Sequence, residues 1–177
     1  MRNIVYYVAS SLDGYISGPE EDISMYVSEG SGVEQYLKDL QSFDTVIMGR
    51  RTYEFGYKFG LKPGQPAYPH MEHHIFSENM QLETPDPKVH VHPRSLDIIR
   101  HLKKKEGTDI YLCGGGVFAG WLLENELIDY LIIKLSPIIL GSGIQLFGGV
   151  KKQTQNELID TQTYDHGLIM LTYRIGY

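Results

Sequence analysis

Three consecutive glycines, Gly114–Gly116, separate the apolar run DIYLC from the apolar segment VFAGWL. A glycine inside a regular element costs roughly 0.5–1 kcal/mol relative to alanine, so three in a row indicate a specific need. A strand that ends in glycines and leads into a helix offers unpaired N–H groups at the positive end of the helix dipole. The segment therefore predicts a site for ligand phosphates. The alternative is a tight turn that only lets the helix pack close to the strand.

The same segment contains Gly114, Gly116 and Ala119 in the pattern G-x-G-x-x-A, which is typical of dinucleotide sites in the Rossmann fold. In that fold the pattern follows the first strand, and an acidic residue about 20 positions later holds the ribose. Here four predicted strands precede the strand that leads to the glycines, and the corresponding distance ends at Ser136-Pro137. We therefore keep the pyrophosphate interpretation and exclude the Rossmann architecture.

A second strand-to-helix junction, VIMGRRTYE, contains two arginines. The predicted strand ends at Met48, and Gly49, Arg50 and Arg51 lead to Thr52, which we predict to be the N-cap of the next helix. Guanidinium groups bind phosphate through two parallel hydrogen bonds. Two phosphate-suited junctions at the carboxyl ends of parallel strands indicate a dinucleotide that lies across the sheet. Solvated surface charge is the alternative for the arginines.

A carboxylate, Asp13, follows the first predicted strand in the segment ASSLDGYI. Asp-Gly is an ordinary turn pair, so a structural role is an equal alternative. In a functional role, the carboxyl group would lie near the strand ends where ligands gather, and it is our candidate proton donor.

Other catalytic chemistry has little support. The histidines that lie close together are His70, His73 and His74, and then His90 and His92. No cysteine or carboxylate completes a recognisable ligand spacing with them, so we predict no metal site. The segment 141–143 lacks the G-x-S-x-G spacing of a hydrolase nucleophile. The tyrosines are interpreted as residues of the core and of the cleft rim.

The elements that must position these residues alternate between β-rich runs and helical patterns, which indicates an α/β fold. Strands are predicted at 3–9, 45–48, 73–76, 88–92, 109–113, 129–137, 155–163 and 168–175, with a turn at 165–167 between the last two. Helices are predicted at 32–42, at 52–59, after Ser95 as N-cap, and after the glycines. Residues 57–69 are predicted to form a loop that rims a cleft.

Two helices have a specific predicted apolar face. In the first helix it comprises Val33, Tyr36, Leu37 and Leu40, and in the helix after the glycines it comprises Val117, Phe118, Trp121 and Leu122. These spacings place the side chains on one side of each helix. We therefore expect both sets to be buried.

Composition limits the classes of partner. A length of 177 residues predicts a single domain over residues 1–177, and a formal net charge of −6 argues against nucleic acid. The single cysteine, Cys113, excludes an intrachain disulfide and favours a reducing compartment. No signal peptide and no membrane span are recognisable, so we predict a cytoplasmic protein. The two phosphate-suited junctions predict that its partner is a small molecule.

The segments ASSLDGYI, VIMGRRTYE, HHIFS, DIYLCGGGVFAGWL and LIDYLIIKLSPIILGSGIQLF together resemble the dihydrofolate reductase superfamily. They are most similar to the branch that comprises the C-terminal reductase domain of bacterial riboflavin biosynthesis proteins and its small stand-alone relatives. The likeness covers nearly the whole chain. It implies a three-layer α/β/α fold around an eight-stranded, mostly parallel mixed sheet with a C-terminal antiparallel hairpin.

The resemblance also implies an NADPH-dependent oxidoreductase and the residues that bind its cofactor. Ala9 and Ile16 would flank the nicotinamide, and Phe76 and Ser77 would lie near the adenosine 2′-phosphate. The remaining contacts would be Gly49, Arg50, Arg51 and Thr52 for phosphates and ribose, and Cys113, Gly114, Gly115, Gly116, Val117 and Phe118 around the pyrophosphate. Relatives commonly have an arginine after the serine, whereas Glu78 follows Ser77 here. The 2′-phosphate would therefore rest on Arg51 and Ser77.

The implied reaction is hydride transfer from NADPH to a small heterocyclic substrate, as in the reduction of 5-amino-6-(5-phosphoribosylamino)uracil, with Asp13 or water as the proton donor. Dihydrofolate reductase proper is an alternative. Its tryptophan is missing from EEDISMYVSEGSGVEQYL, where Glu29 and Glu34 are the candidate acids. A noncatalytic NADP-binding module and a dimerisation domain with an empty cleft are further alternatives. The resemblance also implies a homodimer.

Overall fold

A computed structural model describes all residues from Met1 to Tyr177. The strands are β1 (Ile4–Ser10), β2 (Tyr15–Ser17), β3 (Thr45–Gly49), β4 (Glu72–Phe76), β5 (Val89–His92), β6 (Ile110–Leu112), β7 (Tyr130–Leu135), β8 (Ile144–Gln145), β9 (Glu157–Thr163) and β10 (Ile169–Arg174). The helices are α1 (Ser31–Leu40), α2 (Arg50–Phe55), α3 (Leu96–Lys104) and α4 (Gly116–Glu124). Short 3₁₀ turns occupy Pro19–Glu21, Gly56–Phe59 and Asp165–Gly167. No helix has the length and apolar character needed to cross a membrane.

Eight of the strands form one mixed sheet in the order β5-β4-β3-β6-β1-β7-β10-β9. The strands from β5 to β7 in this order pair in parallel, whereas β10 is antiparallel to both β7 and β9. The predicted mostly parallel sheet with a C-terminal antiparallel hairpin is therefore confirmed. A separate antiparallel pair, β2 with β8, was not predicted, because segments this short carry no detectable alternation.

Alternate residues of the central strands face two hydrophobic cores. Ile4 and Tyr6 of β1 pack in one core with residues of α3 and α4. Val5 and Tyr7 pack in the other core with residues of α1 and α2. Since the side chains of a strand alternate between the two faces of its sheet, the sheet is covered by helices on both sides. This arrangement confirms the three-layer architecture.

The start of α2 differs from the sequence prediction. The strand β3 runs directly into the helix, with Gly49 in an extended conformation as N-cap and Arg50 as the first helical residue. The prediction that Thr52 is the N-cap is therefore wrong, because no loop residue separates strand and helix. For α3 the predicted cap is confirmed, since the Ser95 side chain accepts a hydrogen bond from the Ile98 N–H.

Two residues that were predicted to be buried are exposed. Leu37 of α1 is 56% exposed and Val117 of α4 is 62% exposed. Leu37 lies beside the buried stripe of α1, in which Leu40 is 3% exposed. Val117 lies in the first turn of α4, where the helix borders an open cavity instead of the core.

Candidate functional site

A cavity of about 750 Å³ lies at the carboxyl ends of the parallel strands β1, β3, β4 and β6. Its volume falls within the range of roughly 300–1,000 Å³ that is usual for small-molecule sites. The cavity is lined by every residue that the resemblance assigns to the cofactor: Ala9, Ile16, Gly49, Arg50, Arg51, Thr52, Phe76, Ser77, Cys113, Gly114, Gly115, Gly116, Val117 and Phe118. Residues of the predicted rim loop, including Leu61 and Tyr68, also line it. The fold thus brings the predicted residues together, while their contacts with a cofactor stay a prediction.

The turn before α4 presents free backbone donors to this cavity. Gly114 and Gly115 have φ angles of +52° and +80°, in the left-handed region that favours glycine. The backbone N–H groups of residues 114–118 donate no hydrogen bond to the protein backbone. They lie at the positive end of the α4 dipole, so the turn is suited to bind an anion.

The third glycine of the run has a different explanation. A Cβ atom on Gly116 would lie 2.0 Å from the carbonyl oxygen of Gln145. One turn further along α4, a Cβ atom on Gly120 would lie 2.4 Å from the carbonyl oxygen of Phe147. The helix therefore packs directly against the backbone of residues 145–147. Close packing explains Gly116, and the phosphate interpretation applies to Gly114 and Gly115.

The two arginines of the second junction are held by carboxylates. Arg50 Nε lies 2.7 Å from Glu54 Oε1, one turn further along α2. Arg51 and Lys58 both lie 3.0 Å from the Glu21 carboxylate, and hydrogen bonds from Lys58 and Arg51 lower the pKa of Glu21. The Arg51 side chain is 76% exposed, and ion pairs of this kind contribute only about 0–1 kcal/mol. A phosphate group can therefore replace Glu21 at Arg51 with little loss of stability.

A third arginine, Arg94, lines the cavity beside Ser77 and Glu78 and was not predicted. Its guanidinium lies 5.6 Å from the centre of the Trp121 ring. The Glu78 carboxylate accepts a hydrogen bond of 2.9 Å from the backbone N–H of Arg94. Glu78 is thus held by the main chain, and the arginine beside it supplies positive charge. The position of Arg94 just after a predicted strand was the signal that could have identified it.

Asp13 does not line the cavity. Its carboxylate accepts hydrogen bonds from the Ser11 hydroxyl at 2.6 Å and from the Gly141 N–H at 2.7 Å, with a further one from Leu140. These bonds, that from Ser11 above all, lower its pKa to about 2. Because these donors hold the carboxyl group in a turn outside the cavity, the contacts favour a structural role for Asp13, and proton donation by Asp13 stays a prediction.

Four tyrosines line another part of the cavity, and we call Tyr7, Tyr36, Tyr68 and Tyr111 the tyrosine cluster. The hydroxyls of Tyr36 and Tyr111 lie 2.8 Å apart, and the Tyr68 hydroxyl lies 3.5 Å from Cys113 Sγ. Tyr7 packs edge-on against Tyr36 with ring centres 5.0 Å apart.

Burial is the main cause of the raised pKa values in the tyrosine cluster. It raises the pKa of Tyr36 to about 12 and those of Tyr68 and Tyr111 well above the usual value. The phenols are therefore neutral hydrogen-bond donors at physiological pH. The sequence interpretation of the tyrosines as core and rim did not include this role, since the four residues come from four separate segments.

The histidines form separate contacts. His73 is fully buried, and its Nε2 accepts a hydrogen bond of 3.1 Å from the Tyr68 N–H. The rings of His74, His90 and His92 stack on one face of β4 and β5. His74 Nδ1 lies 2.8 Å from His92 Nε2, so these two nitrogens bond to each other.

Comparison with known proteins gives consistent matches over most of the chain. The model of the RibD C-terminal domain family matches residues 2–170. The chain is 30% identical to the uncharacterized protein YwjB of Bacillus subtilis (strain 168) over 166 residues, which cover 92% of each sequence.

Solved structures give the same result. A crystal structure from Shewanella sp. PV-4, described as a riboflavin biosynthesis protein, is 28% identical with a TM-score of 0.81 and covers 100% of both chains. Dihydrofolate reductase from Enterococcus faecalis, complexed with NADP(H), is 17% identical with a TM-score of 0.65 and covers 99% of this chain and 97% of its own. The latter likeness concerns the fold.

Proposed function

Since the chain belongs to the RibD C-terminal domain family, we propose that it is an NADPH-dependent reductase that acts on a small heterocyclic substrate of the kind used in riboflavin biosynthesis. The family and the solved structures that share the fold include reductases, which supports an oxidoreductase. The Shewanella protein supports the link to riboflavin biosynthesis. The shared fold with a Thermotoga maritima protein described as a 5-amino-6-(5-phosphoribosylamino)uracil reductase supports a substrate similar to that compound.

The observation that carries the proposal is the cavity with free backbone donors on one side and three arginines around it. The backbone N–H groups of residues 114–118 have no backbone acceptor, and Arg50, Arg51 and Arg94 line the same cavity. A dinucleotide pyrophosphate needs hydrogen-bond donors and positive charge, and both are present. The cavity residues therefore fit a nicotinamide dinucleotide.

Each part of the cavity has a task in this proposal. The N–H groups of Gly114 and Gly115 bind the pyrophosphate, and Arg51, Ser77 and Arg94 bind the 2′-phosphate. The apolar side chains of Ala9 and Ile16 exclude water at the nicotinamide end. When bound, NADPH supplies the hydride, and the chain supplies position and electrostatics.

The proposal is tested by titration of the protein with NADPH and with NADH. Trp121 is the only tryptophan and stacks with Arg94, so its fluorescence reports binding at the proposed 2′-phosphate site. Hydrogen bonds to charged groups contribute about 1.5–3 kcal/mol, so we expect NADPH to bind roughly 10- to 100-fold more tightly than NADH.

Variants refine this test. Arg51→Gln should weaken NADPH binding and leave NADH binding unchanged. Arg174→Gln is the matched control, because Arg174 is an exposed arginine paired with Glu157 on the C-terminal hairpin. Equal affinities for the two nucleotides would contradict the 2′-phosphate roles. Absence of binding by either nucleotide would contradict the proposed function.

A further inference from the structure

We propose that Tyr36 donates the proton in this site and that the substrate is reduced at a carbonyl group. The inference rests on the proposed function for its source of hydride. It is carried by the chemistry of the tyrosine cluster and by the position of Lys134.

The hydroxyls of Tyr36, Tyr68 and Tyr111 have no carboxylate as partner, whereas the Tyr7 hydroxyl donates to the Asp39 carboxylate at 3.0 Å. The carboxylates that line the cavity are Glu21 and Glu78. Glu21 keeps Lys58 as its partner when Arg51 binds a phosphate, and Glu78 is bound to the main chain. A cationic or 2-aminopyrimidine group, such as that of dihydrofolate, needs a free carboxylate to accept its N–H groups. Phenolic hydroxyls and a thiol are suited instead to a substrate that presents carbonyl oxygens.

Among the tyrosines, Tyr36 has the surroundings of a proton donor. It lines the cavity, and its hydroxyl lies 2.8 Å from that of Tyr111, which is only 1% exposed. The Tyr111 hydroxyl can therefore donate to the Tyr36 oxygen once that oxygen has lost its proton. Tyr68 has the Cys113 thiol as its hydroxyl partner at 3.5 Å, and a thiol is a weak donor.

Lys134 provides the charge that Tyr36 needs after proton transfer. Its Nζ lies 4.8 Å from the centre of the Tyr36 ring, and it forms no ion pair within 4.0 Å. Lys134 is in register with Ala9 on the neighbouring strand β1, which places it at the nicotinamide end of the proposed site. A cation at this distance favours the ionised form of a phenol. Burial lowers the pKa of Lys134, and no carboxylate lies within 4.0 Å of its Nζ, so a phenolate on Tyr36 would supply the counterion that this side chain lacks.

The proposed step transfers a hydride to carbon and a proton to oxygen. The carbonyl carbon of the substrate accepts the hydride and forms a new C–H bond, while the π electrons of the C=O bond move to oxygen. That oxygen takes the phenolic proton of Tyr36 and becomes a hydroxyl group. The nicotinamide is oxidised from NADPH to NADP⁺, the carbonyl is reduced to an alcohol, and solvent returns a proton to Tyr36.

The test uses isatin, a planar heterocycle with a ketone carbonyl, as the probe acceptor, with NADPH oxidation followed by absorbance. The full-length protein should reduce isatin and not dihydrofolate. Tyr36→Phe keeps the ring and removes the hydroxyl, so kcat should fall roughly 10²- to 10⁴-fold. Tyr68→Phe should lose less than about tenfold. Tyr130→Phe is the matched control, because Tyr130 faces the same core as Tyr36 but does not line the cavity.

Two further measurements test the proposal without relying on the turnover rate of the Tyr36→Phe variant. Lys134→Met should lower kcat about tenfold with the KM for isatin unchanged, because the cation acts on the developing phenolate and not on the bound ketone. Calorimetric titration of the cofactor-free protein with isatin should show about fivefold weaker binding for Tyr36→Phe, the loss expected for one hydrogen bond.

The outcomes separate the two proposals. Full activity of Tyr36→Phe, or reduction of dihydrofolate in preference to isatin, would overturn the inference on proton donor and substrate. The same holds if NADPH binds and isatin is neither bound nor reduced. If NADPH itself does not bind, the proposed function fails.

Discussion

Acidification is expected to destabilise the protein through His73, a buried histidine next to the tyrosine cluster. Its side chain is 0% exposed, its Nδ1 donates to the Met71 carbonyl at 3.0 Å, and its Nε2 accepts from the Tyr68 N–H. Protonation would place a second N–H at Nε2, where the Tyr68 N–H already points. Burial, which is the largest cause, lowers the pKa of His73 from 6.5 to about 4.

The size of the effect follows from this shift. The unfolded chain binds a proton on His73 near pH 6.5, whereas the folded chain binds it only near pH 4. The free energy of unfolding is therefore highest above pH 6.5 and falls as the pH is lowered from there to about 4. A difference of about 2.5 pKa units corresponds to about 3 kcal/mol in total, and near pH 5.5 the slope is about 1 kcal/mol per pH unit. His74, whose pKa burial lowers to about 3, adds to the slope in the same direction.

Urea unfolding followed by circular dichroism between pH 4.5 and 7.5 measures this slope. His73→Gln should reduce it by about 1 kcal/mol per pH unit, whatever its effect on overall stability. His101→Gln, at an exposed histidine in the last turn of α3, is the control and should leave the slope unchanged. Equal slopes in wild type and His73→Gln would refute the assignment of a buried, neutral His73.

Three further predictions concern the cavity and its supports. Asp13→Asn should lower the unfolding midpoint, because Asp13 holds the Gly141 N–H, and should keep kcat within about twofold, against the roughly 10²- to 10⁴-fold loss of a proton donor. Arg94→Gln should weaken NADPH binding by about tenfold and leave NADH binding unchanged in the Trp121 titration, since only the 2′-phosphate contact is lost. Gly116→Ala should lower the free energy of unfolding in urea by at least about 1 kcal/mol, because its Cβ would overlap a carbonyl oxygen in β8.

The strand and helix order was predictable from the sequence because each major element carries its own periodic pattern. The β1 run and the α3 segment after Ser95 are examples in which local sequence and tertiary structure agree. The short strands β2 and β8 lack such a pattern, and they form only because they meet across a separation of more than a hundred residues.

The candidate site was predictable where one segment contains both cavity-lining residues and the turn that presents them, as for Gly114 and Gly115. It was not predictable where a role depends on a distant partner. Asp13 is fixed by Gly141, which is 128 positions away, and Gly116 is required by the backbone of Gln145. The pairing of Tyr36 with Tyr111 likewise joins α1 to β6. No local spacing reveals contacts of this kind.

The central claim is that the free N–H groups at the start of α4 bind the pyrophosphate of a nicotinamide dinucleotide. Amide chemical shifts of ¹⁵N-labelled protein, recorded during titration with NADPH, test it residue by residue. We expect the largest changes at residues 114–118 and 49–52, and none at Gly167 in the C-terminal hairpin turn. Saturable NADPH binding that leaves the amides of residues 114–118 unchanged would contradict the claim.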